Sequence, residues 1–170
     1  TNPKVLKKKR QDLELQLAQD YFAAGVLDRA EDLFRTVLRV RPKDVESLKC
    51  LLKIHEQNKD WQSCVHVAKQ LSSYCPEVCV NLAHYHCQLS VIASNARESL
   101  KFLKKGLSYR PLCPRIILSQ AQLYYEQKKA HRAIEALKTI PVKNRAFIEP
   151  ILSWLHKCYE ITHDWQDYVL

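Results

Sequence analysis

Apolar residues recur along the chain at the spacing of amphipathic helices, and short polar joints separate the runs. The first predicted helix has Leu13, Leu17, Tyr21 and Ala24 on one face. Gly25 ends this helix, because glycine adopts the left-handed conformation of a C-cap at no steric cost. Asp28 and Glu31 are predicted to form a capping box for a second helix, which Pro42 ends.

The helical pattern then continues through further pairs. The second predicted helix buries Ala30, Leu33, Phe34, Val37 and Leu38. Later joints are predicted at residues 58–60, 94–95 and 127–129. With only two glycines in the chain, a many-stranded sheet protein would lack turns. The pattern therefore predicts an all-α fold of helices in pairs.

The helix pairs repeat at a nearly fixed period. Ala18, Tyr21, Ala30, Phe34 and Pro42 are followed 34 residues later by Leu52, His55, Cys64, Ala68 and Pro76. Steps of 35 and then 34 residues lead to Cys87, Ser99 and Pro111, and to Ala121 and Ala133, with Tyr124 at the aromatic position. The segment KDWQ at 59–62 also returns as HDWQ at 163–166. Such a period is typical of stacked helical hairpins.

This pattern of small, aromatic and proline positions resembles the tetratricopeptide-repeat family. The resemblance implies an all-α, right-handed solenoid of about four and a half hairpins over residues 11–170, treated as a single domain. We place the repeats at 11–44, 45–79, 80–113 and 114–148, with a truncated one at 149–170. Residues 1–10 form a basic linker in this interpretation.

Four blocks resemble a narrower family, the cytoplasmic repeat region of the lipopolysaccharide assembly protein B family. They are LAQDYFAAGVLDRAEDLF, LLKIHEQNKDWQ, NLAHYHCQLS and LKFLKKG. The resemblance implies a non-catalytic adaptor on the cytoplasmic face of the bacterial inner membrane. Such adaptors restrain lipopolysaccharide synthesis by promoting degradation of the deacetylase LpxC by the protease FtsH.

Two parts of that family lie outside this sequence. One is an N-terminal membrane helix, and the other is a rubredoxin-like module that binds iron or zinc. The chain has no CxxC pair, so the family's metal ligands cannot be transferred to it. We therefore expect no cofactor in this segment, and a membrane attachment only through the missing helix.

Charge and cysteine content refine this interpretation. The formal net charge is +9, and five cations lie in the first ten residues without an acid. This basic stretch suits a solvated linker, although contact with anionic lipid or nucleic acid is an alternative. No apolar run approaches the roughly 20 residues that span a bilayer, and no signal peptide is visible. Seven cysteines, mostly within apolar helical patterns, favour reduced and buried thiols.

Catalytic and metal chemistry find little support in the sequence. No GxSxG, HExxH or phosphate-binding glycine loop occurs, so an enzyme is not expected. Cys75, Cys79, His84, His86 and Cys87 could form a zinc site. Against this, Cys87 falls at a small packing position, and two histidines two residues apart do not share a helix face. Trp61, Trp154 and Trp165 are interpreted as packing residues between helices.

The first helices of such hairpins line a groove that binds a partner protein. Transferring that spacing selects Gln19, Phe22, Lys49, Lys53, Glu56, His84, Gln88, Arg115, Gln122, Tyr125 and Lys157. We expect a basic groove for an acidic or C-terminal protein segment. The alternative is that these groove residues form a solvated face that binds no ligand. A second alternative is a pentatricopeptide-like RNA-binding repeat, although we expect no nucleic acid.

Overall fold

The structure, a computed structural model, describes residues 3–141 and 145–163, and these residues are all-α. The helices are α1 (Pro3–Ala23), α2 (Leu27–Val40), α3 (Val45–Gln57), α4 (Trp61–Ser72), α5 (Cys79–Val91), α6 (Ala96–Tyr109), α7 (Pro114–Glu126), α8 (Ala130–Lys138) and α9 (Ile148–Thr162). Short 3-10 turns cover Pro76–Val78 and Arg145–Phe147. The predicted all-α fold of helical hairpins is confirmed. The second helix of the fifth hairpin and Trp165 lie outside the described residues.

The chain divides into two compact units, Thr1–Leu82 and Ala83–Leu170. The boundary between them falls inside α5. The assignment of 11–170 as a single domain remains a prediction. Residue 10 does not mark a structural boundary, because α1 begins at Pro3 and continues through it, with residues 5–10 exposed.

Small residues form the closest packing in the first unit. Ala18 of α1 and Ala30 of α2 have no exposed surface, and both join a buried cluster with Phe34 and Ile54. Residues without large side chains let the two helix backbones approach closely, as the repeat pattern predicted. Each later small position is also buried, at Leu52, Cys64, Cys87, Ser99, Ala121 and Ala133.

The predicted inward face of α1 is wrong in part, because Tyr21 packs against the buried cluster but Leu13, Leu17 and Ala24 are exposed. Leu13 is 64% exposed and Leu17 is 45% exposed. Leu15, Ala18 and Phe22 face the core instead. The helix carries two apolar stripes, and Ala18 decides between them because it lies where α1 and α2 meet most closely.

Three of the predicted joints, at Gly25, 58–60 and 127–129, share one turn geometry with different residues. Gly25 has a φ of 74°, and the Val26 N–H donates to the Tyr21 carbonyl at 2.9 Å. Lys59 and Lys128 take the same left-handed conformation, with φ values of 55° and 60°. Equivalent hydrogen bonds close both turns. This arrangement is the Schellman motif, so the joint at 127–129 forms without a glycine.

The predicted capping box of α2 is also wrong. The helix begins at Leu27, its N-cap is Val26, and no side chain caps it. Asp28 already lies within the first turn, and Glu31 pairs with Arg35. Side chains that do cap helices accept a backbone N–H three residues on, at Asp44 (α3), Asp60 (α4) and Asn95 (α6).

The second unit has two buried clusters. One contains Ala83, Cys87, Leu103 and Ile116. The other contains Ile117, Ala121, Ala133, Leu137, Cys158 and Tyr159, among others. Ser99 Oγ donates to the Ser90 carbonyl at 2.8 Å, which joins α6 to α5 through a buried hydrogen bond. Ser90 stands at the aromatic position of the third repeat, and its own Oγ donates to the Cys87 carbonyl at 2.6 Å, so both buried hydroxyls are satisfied.

All seven cysteines are free thiols. Cys64 and Cys158 have no exposed surface. Burial raises the pKa of the Cys64 thiol to about 12, and it also raises the pKa of Cys158. Since burial disfavours the charged thiolate, both side chains act as small apolar groups.

Candidate functional site

The eleven predicted groove residues fall in both compact units. The first unit contains Gln19, Phe22, Lys49, Lys53 and Glu56. The second contains His84, Gln88, Arg115, Gln122, Tyr125 and Lys157. All of them lie on first helices of hairpins: α1, α3, α5, α7 and α9. The transferred spacing therefore selects the intended helices.

In the first unit, Gln19 and Phe22 differ in availability. Gln19 is exposed. Phe22 is half-buried, packs against the core cluster, and meets Phe34 edge-on with ring centroids 6.4 Å apart. The aromatic ring that was predicted to line a groove therefore contributes mainly to hairpin packing, and only part of it is open to a partner.

Lys49 and Lys53 are exposed one turn apart on α3. Lys49 Nζ donates a hydrogen bond to Glu46 Oε1 at 3.1 Å, and this bond raises the pKa of the lysine. This acid was absent from the predicted set, although its spacing of three residues before Lys49 is the sequence signal for such a pair. The pair is solvent-exposed, so a partner carboxylate can compete for Lys49 at little cost.

The half-buried thiol of Cys50 lies beside these lysines on α3. Burial raises its pKa, and the positive charge of Lys53 partly opposes this effect. On this face of α3, Lys53 therefore lies beside a Cys50 thiol that burial keeps in its neutral form.

In the second unit, two predicted groove residues, Tyr125 and Lys157, each contact Trp154, which lies outside the predicted set. Tyr125 of α7 and Trp154 of α9 meet edge-on, with ring centroids 5.5 Å apart. Lys157 Nζ lies 4.5 Å from the centroid of the Trp154 ring, which places a cation over an aromatic face. Such a contact contributes about 0.5–1 kcal/mol at an exposed site. We call Tyr125, Trp154 and Lys157 the aromatic cluster.

The packing of α7 on α9 positions this cluster. Ala121 and Cys158 are buried between the helices, and Tyr125 and Trp154 pack half-buried against the same core. Gln122 stands one turn before Glu126, and its Nε2 donates to the Glu126 carboxylate at 3.0 Å. The result is an apolar platform with an exposed cation and a hydrogen-bonding amide nearby. These groups can hold a protein segment that carries an apolar side chain and a carboxylate.

The remaining predicted residues are less organised. His84 is exposed on α5, with its ring 5.9 Å from that of Tyr85. Gln88 is half-buried and Arg115 is exposed near the start of α7. In the described part of the chain, the Gln88 and Arg115 side chains form no hydrogen bond or ion pair with each other. These residues border the surface without forming a cluster.

The histidine- and cysteine-rich segment around α5 is the candidate zinc site of the sequence. Among residues 3–141 and 145–163, no group of three or more His, Cys, Asp or Glu residues is arranged to hold a metal ion. Burial raises the pKa of Cys87, which opposes the thiolate form that a metal ligand requires.

Comparison with known proteins supports the resemblance found in the sequence. The chain is 33% identical over 149 residues to lipopolysaccharide assembly protein B of Haemophilus influenzae, covering 85% of this chain and 37% of that protein. It is 26% identical over 161 residues to the protein of that name from Escherichia coli K12, covering 91% and 41%. The chain thus spans less than half the length of these curated relatives. No family model matches it.

Solved structures support the fold. A tetratricopeptide repeat protein from Parabacteroides merdae superposes with a TM-score of 0.54 at 14% identity, covering 94% of this chain and 62% of that one. A MamA AMB-1 structure gives 0.52 at 13% identity, covering 95% and 87%. The chain has the tetratricopeptide-repeat fold. Its sequence resembles lipopolysaccharide assembly protein B, as the four sequence blocks predicted.

The described helices pair in the arrangement of tetratricopeptide repeats. The helical pairs α1–α2, α3–α4, α5–α6 and α7–α8 are the repeats of the chain, and α9 opens the next one. In the described ranges, no helix is long and apolar enough to span a membrane.

Trp154 packs against the core, as the sequence predicted, but its place in the candidate site beside Tyr125 and Lys157 was not predicted. Trp154 is half-buried on α9, and Lys157 Nζ lies over the face of its indole ring. The spacing of three residues between them on one helix was the available signal.

Proposed function

We propose that this chain is the partner-binding repeat segment of an adaptor in lipopolysaccharide assembly. The observation that carries the proposal is the aromatic cluster on first helices of a chain resembling lipopolysaccharide assembly protein B. Half-buried aromatic rings beside a cation are typical of residues that dominate binding at protein interfaces. The other predicted groove residues supply a polar and basic surround.

The finer proposal concerns what is bound and where. We propose that the adaptor promotes FtsH-dependent degradation of the deacetylase LpxC, from the cytoplasmic face of the bacterial inner membrane. In this proposal the aromatic cluster binds one of these two proteins. An attachment to the membrane is proposed for the longer protein and not for this segment. The resemblance to lipopolysaccharide assembly protein B supports the assignment.

Charge reversal at the cluster tests the proposed function. Lys157→Glu removes the cation above Trp154 and repels a partner carboxylate, so we expect binding to weaken about tenfold. Binding of the immobilised 170-residue chain to purified LpxC, and separately to purified FtsH, gives the measurement. Lys69→Glu is the matched control, because it makes the same charge change at an exposed position of α4, a second helix.

The two variants separate the possible results. A loss confined to Lys157→Glu, with an unchanged melting temperature, supports the aromatic cluster as the contact. Equal binding by both variants and the unsubstituted chain would show that the partner docks elsewhere. Absence of binding to both proteins would contradict the assignment to LpxC degradation.

A further inference from the structure

A second cationic surface lies on a second helix of the hairpins, outside the predicted groove. Arg97, Lys101 and Lys104 of α6 and Lys129 of the α7–α8 turn line a cleft of about 900 Å³. Half-buried Leu100 and the amide of Gln127 also line it. We call this the cationic cleft. All of its residues belong to the second unit.

The three α6 cations share one face of the helix. Ser99, Leu103 and Gly106 are buried on the opposite face, against the core. A rise of about 1.5 Å per residue spreads the cations from Arg97 to Lys104 over roughly 10 Å. The packing of α6 therefore directs a row of positive charges outward into the cleft.

These positive charges are poorly neutralised. In the described part of the chain, Arg97, Lys101 and Lys104 form no ion pair. Glu98, which also lines the cleft, accepts a hydrogen bond from the Ser94 N–H at 3.1 Å at the start of α6. Lys129 Nζ donates to the neutral amide oxygen of Gln127 at 2.8 Å. Like charges one turn apart destabilise a helix slightly, so folding alone does not favour this arrangement.

We propose that the cationic cleft binds an acidic segment of a partner protein. Charge complementarity selects an anion, and the row of cations along α6 suits several carboxylates in succession. The concave shape favours a narrow polypeptide over the plane of headgroups that a bilayer presents. Leu100 offers an apolar contact and Gln127 a hydrogen-bonding group, which suit a peptide. The adaptor would thus carry a docking site separate from the aromatic cluster.

Fluorescence anisotropy with a labelled deca-glutamate peptide tests the cleft. Lys101→Glu/Lys104→Glu turns two attractions into repulsions, so we expect the peptide to bind about tenfold more weakly. Lys7→Glu/Lys8→Glu is the matched control, because it makes the same charge change on exposed positions of α1. We expect the control to retain affinity to within about twofold, and added salt to weaken binding to the unsubstituted chain. Thermal melting verifies that both variants fold.

Other results would overturn the proposal. Equal losses in the two double variants would show attraction to net charge, without a site. No loss in the cleft variant would also contradict it. Two further binding assays replace the peptide, one with vesicles of phosphatidylcholine and phosphatidylglycerol and the other with polyuridine RNA. Cleft-dependent binding of either one, with unchanged peptide binding, would assign the surface to lipid or RNA instead. The peptide assay does not depend on the aromatic cluster, so a negative result would contradict the cationic cleft without contradicting the proposed function.

Discussion

At the scale of single residues, His55 shows how a polar side chain can occupy a core position. It stands where the first repeat has Tyr21, and it is only 3% exposed. Its Nδ1 lies 3.9 Å from the Asp60 carboxylate. Burial lowers the pKa of His55, while the charges of Glu31 and Asp60 raise it and that of Arg35 lowers it. The net result is a neutral ring in the folded chain near neutral pH.

This pKa shift predicts a pH dependence of stability. The unfolded chain has a histidine with an ordinary pKa of about 6.5, whereas the folded state binds its proton only at lower pH. The unfolded state therefore gains protons first, and the free energy of unfolding falls as pH drops below about 6.5. We expect the free energy of unfolding of His55→Gln to fall less as the pH drops. Urea titrations above and below that pH measure the difference.

His66→Gln is the matched control, since His66 is exposed one helix later on α4. It should keep the pH dependence of the unsubstituted chain. If His55→Gln shows the same slope of stability against pH as the control, His55 does not cause the effect.

At the scale of secondary-structure elements, the shared turn geometry gives a matched set of sites. Gly25→Ala forces a Cβ into a left-handed conformation, although nothing lies within 4 Å of that atom. The cost is therefore one of backbone strain, about 1 kcal/mol. Lys59→Gly removes the same strain and should raise the free energy of unfolding by a few tenths of a kcal/mol up to about 1.

Chemical denaturation of the two variants measures both effects, and Lys128→Gly repeats the second at an independent turn. Opposite signs for Gly25→Ala and Lys59→Gly are expected. A stabilising Gly25→Ala would show that the left-handed turn is not maintained in solution.

The elements also show what sequence patterns could and could not predict. Helix joints were predictable because glycine, proline and polar clusters act locally. The exposure of Leu13 and Leu17 on α1 was not, since both fit the helical period and only the tertiary packing around Ala18 selects the buried stripe. The predicted capping box of α2 was wrong for a related reason. The Gly25 turn starts α2 one residue before Asp28, which leaves the carboxylate inside the first turn.

At the scale of the whole molecule, the repeat period predicted which helices carry the candidate site. The repeat period could not predict which of the eleven residues contact other side chains of the chain. The aromatic cluster depends on how α9 packs against α7, a tertiary relation without a local signature. Lys49 is exposed, yet its pairing with Glu46 reduces the positive charge that it presents to a partner. Side-chain partners had to come from the structure.

The buried cysteines have a consequence for following the chain as it unfolds. Cys64 and Cys158 lie in different units, and iodoacetamide reacts with the thiolate, which burial disfavours in both. Because α5 runs through the boundary, we expect both thiols to become reactive at the same urea concentration, as a single domain requires. Mass spectrometry of pulse-labelled samples gives the measurement, with half-buried Cys75 as the control that reacts earlier.

Different midpoints for the two thiols would contradict the single-domain prediction and show separate opening of each unit. The chain therefore carries one internal chemical probe of unfolding in each half, without any engineered label.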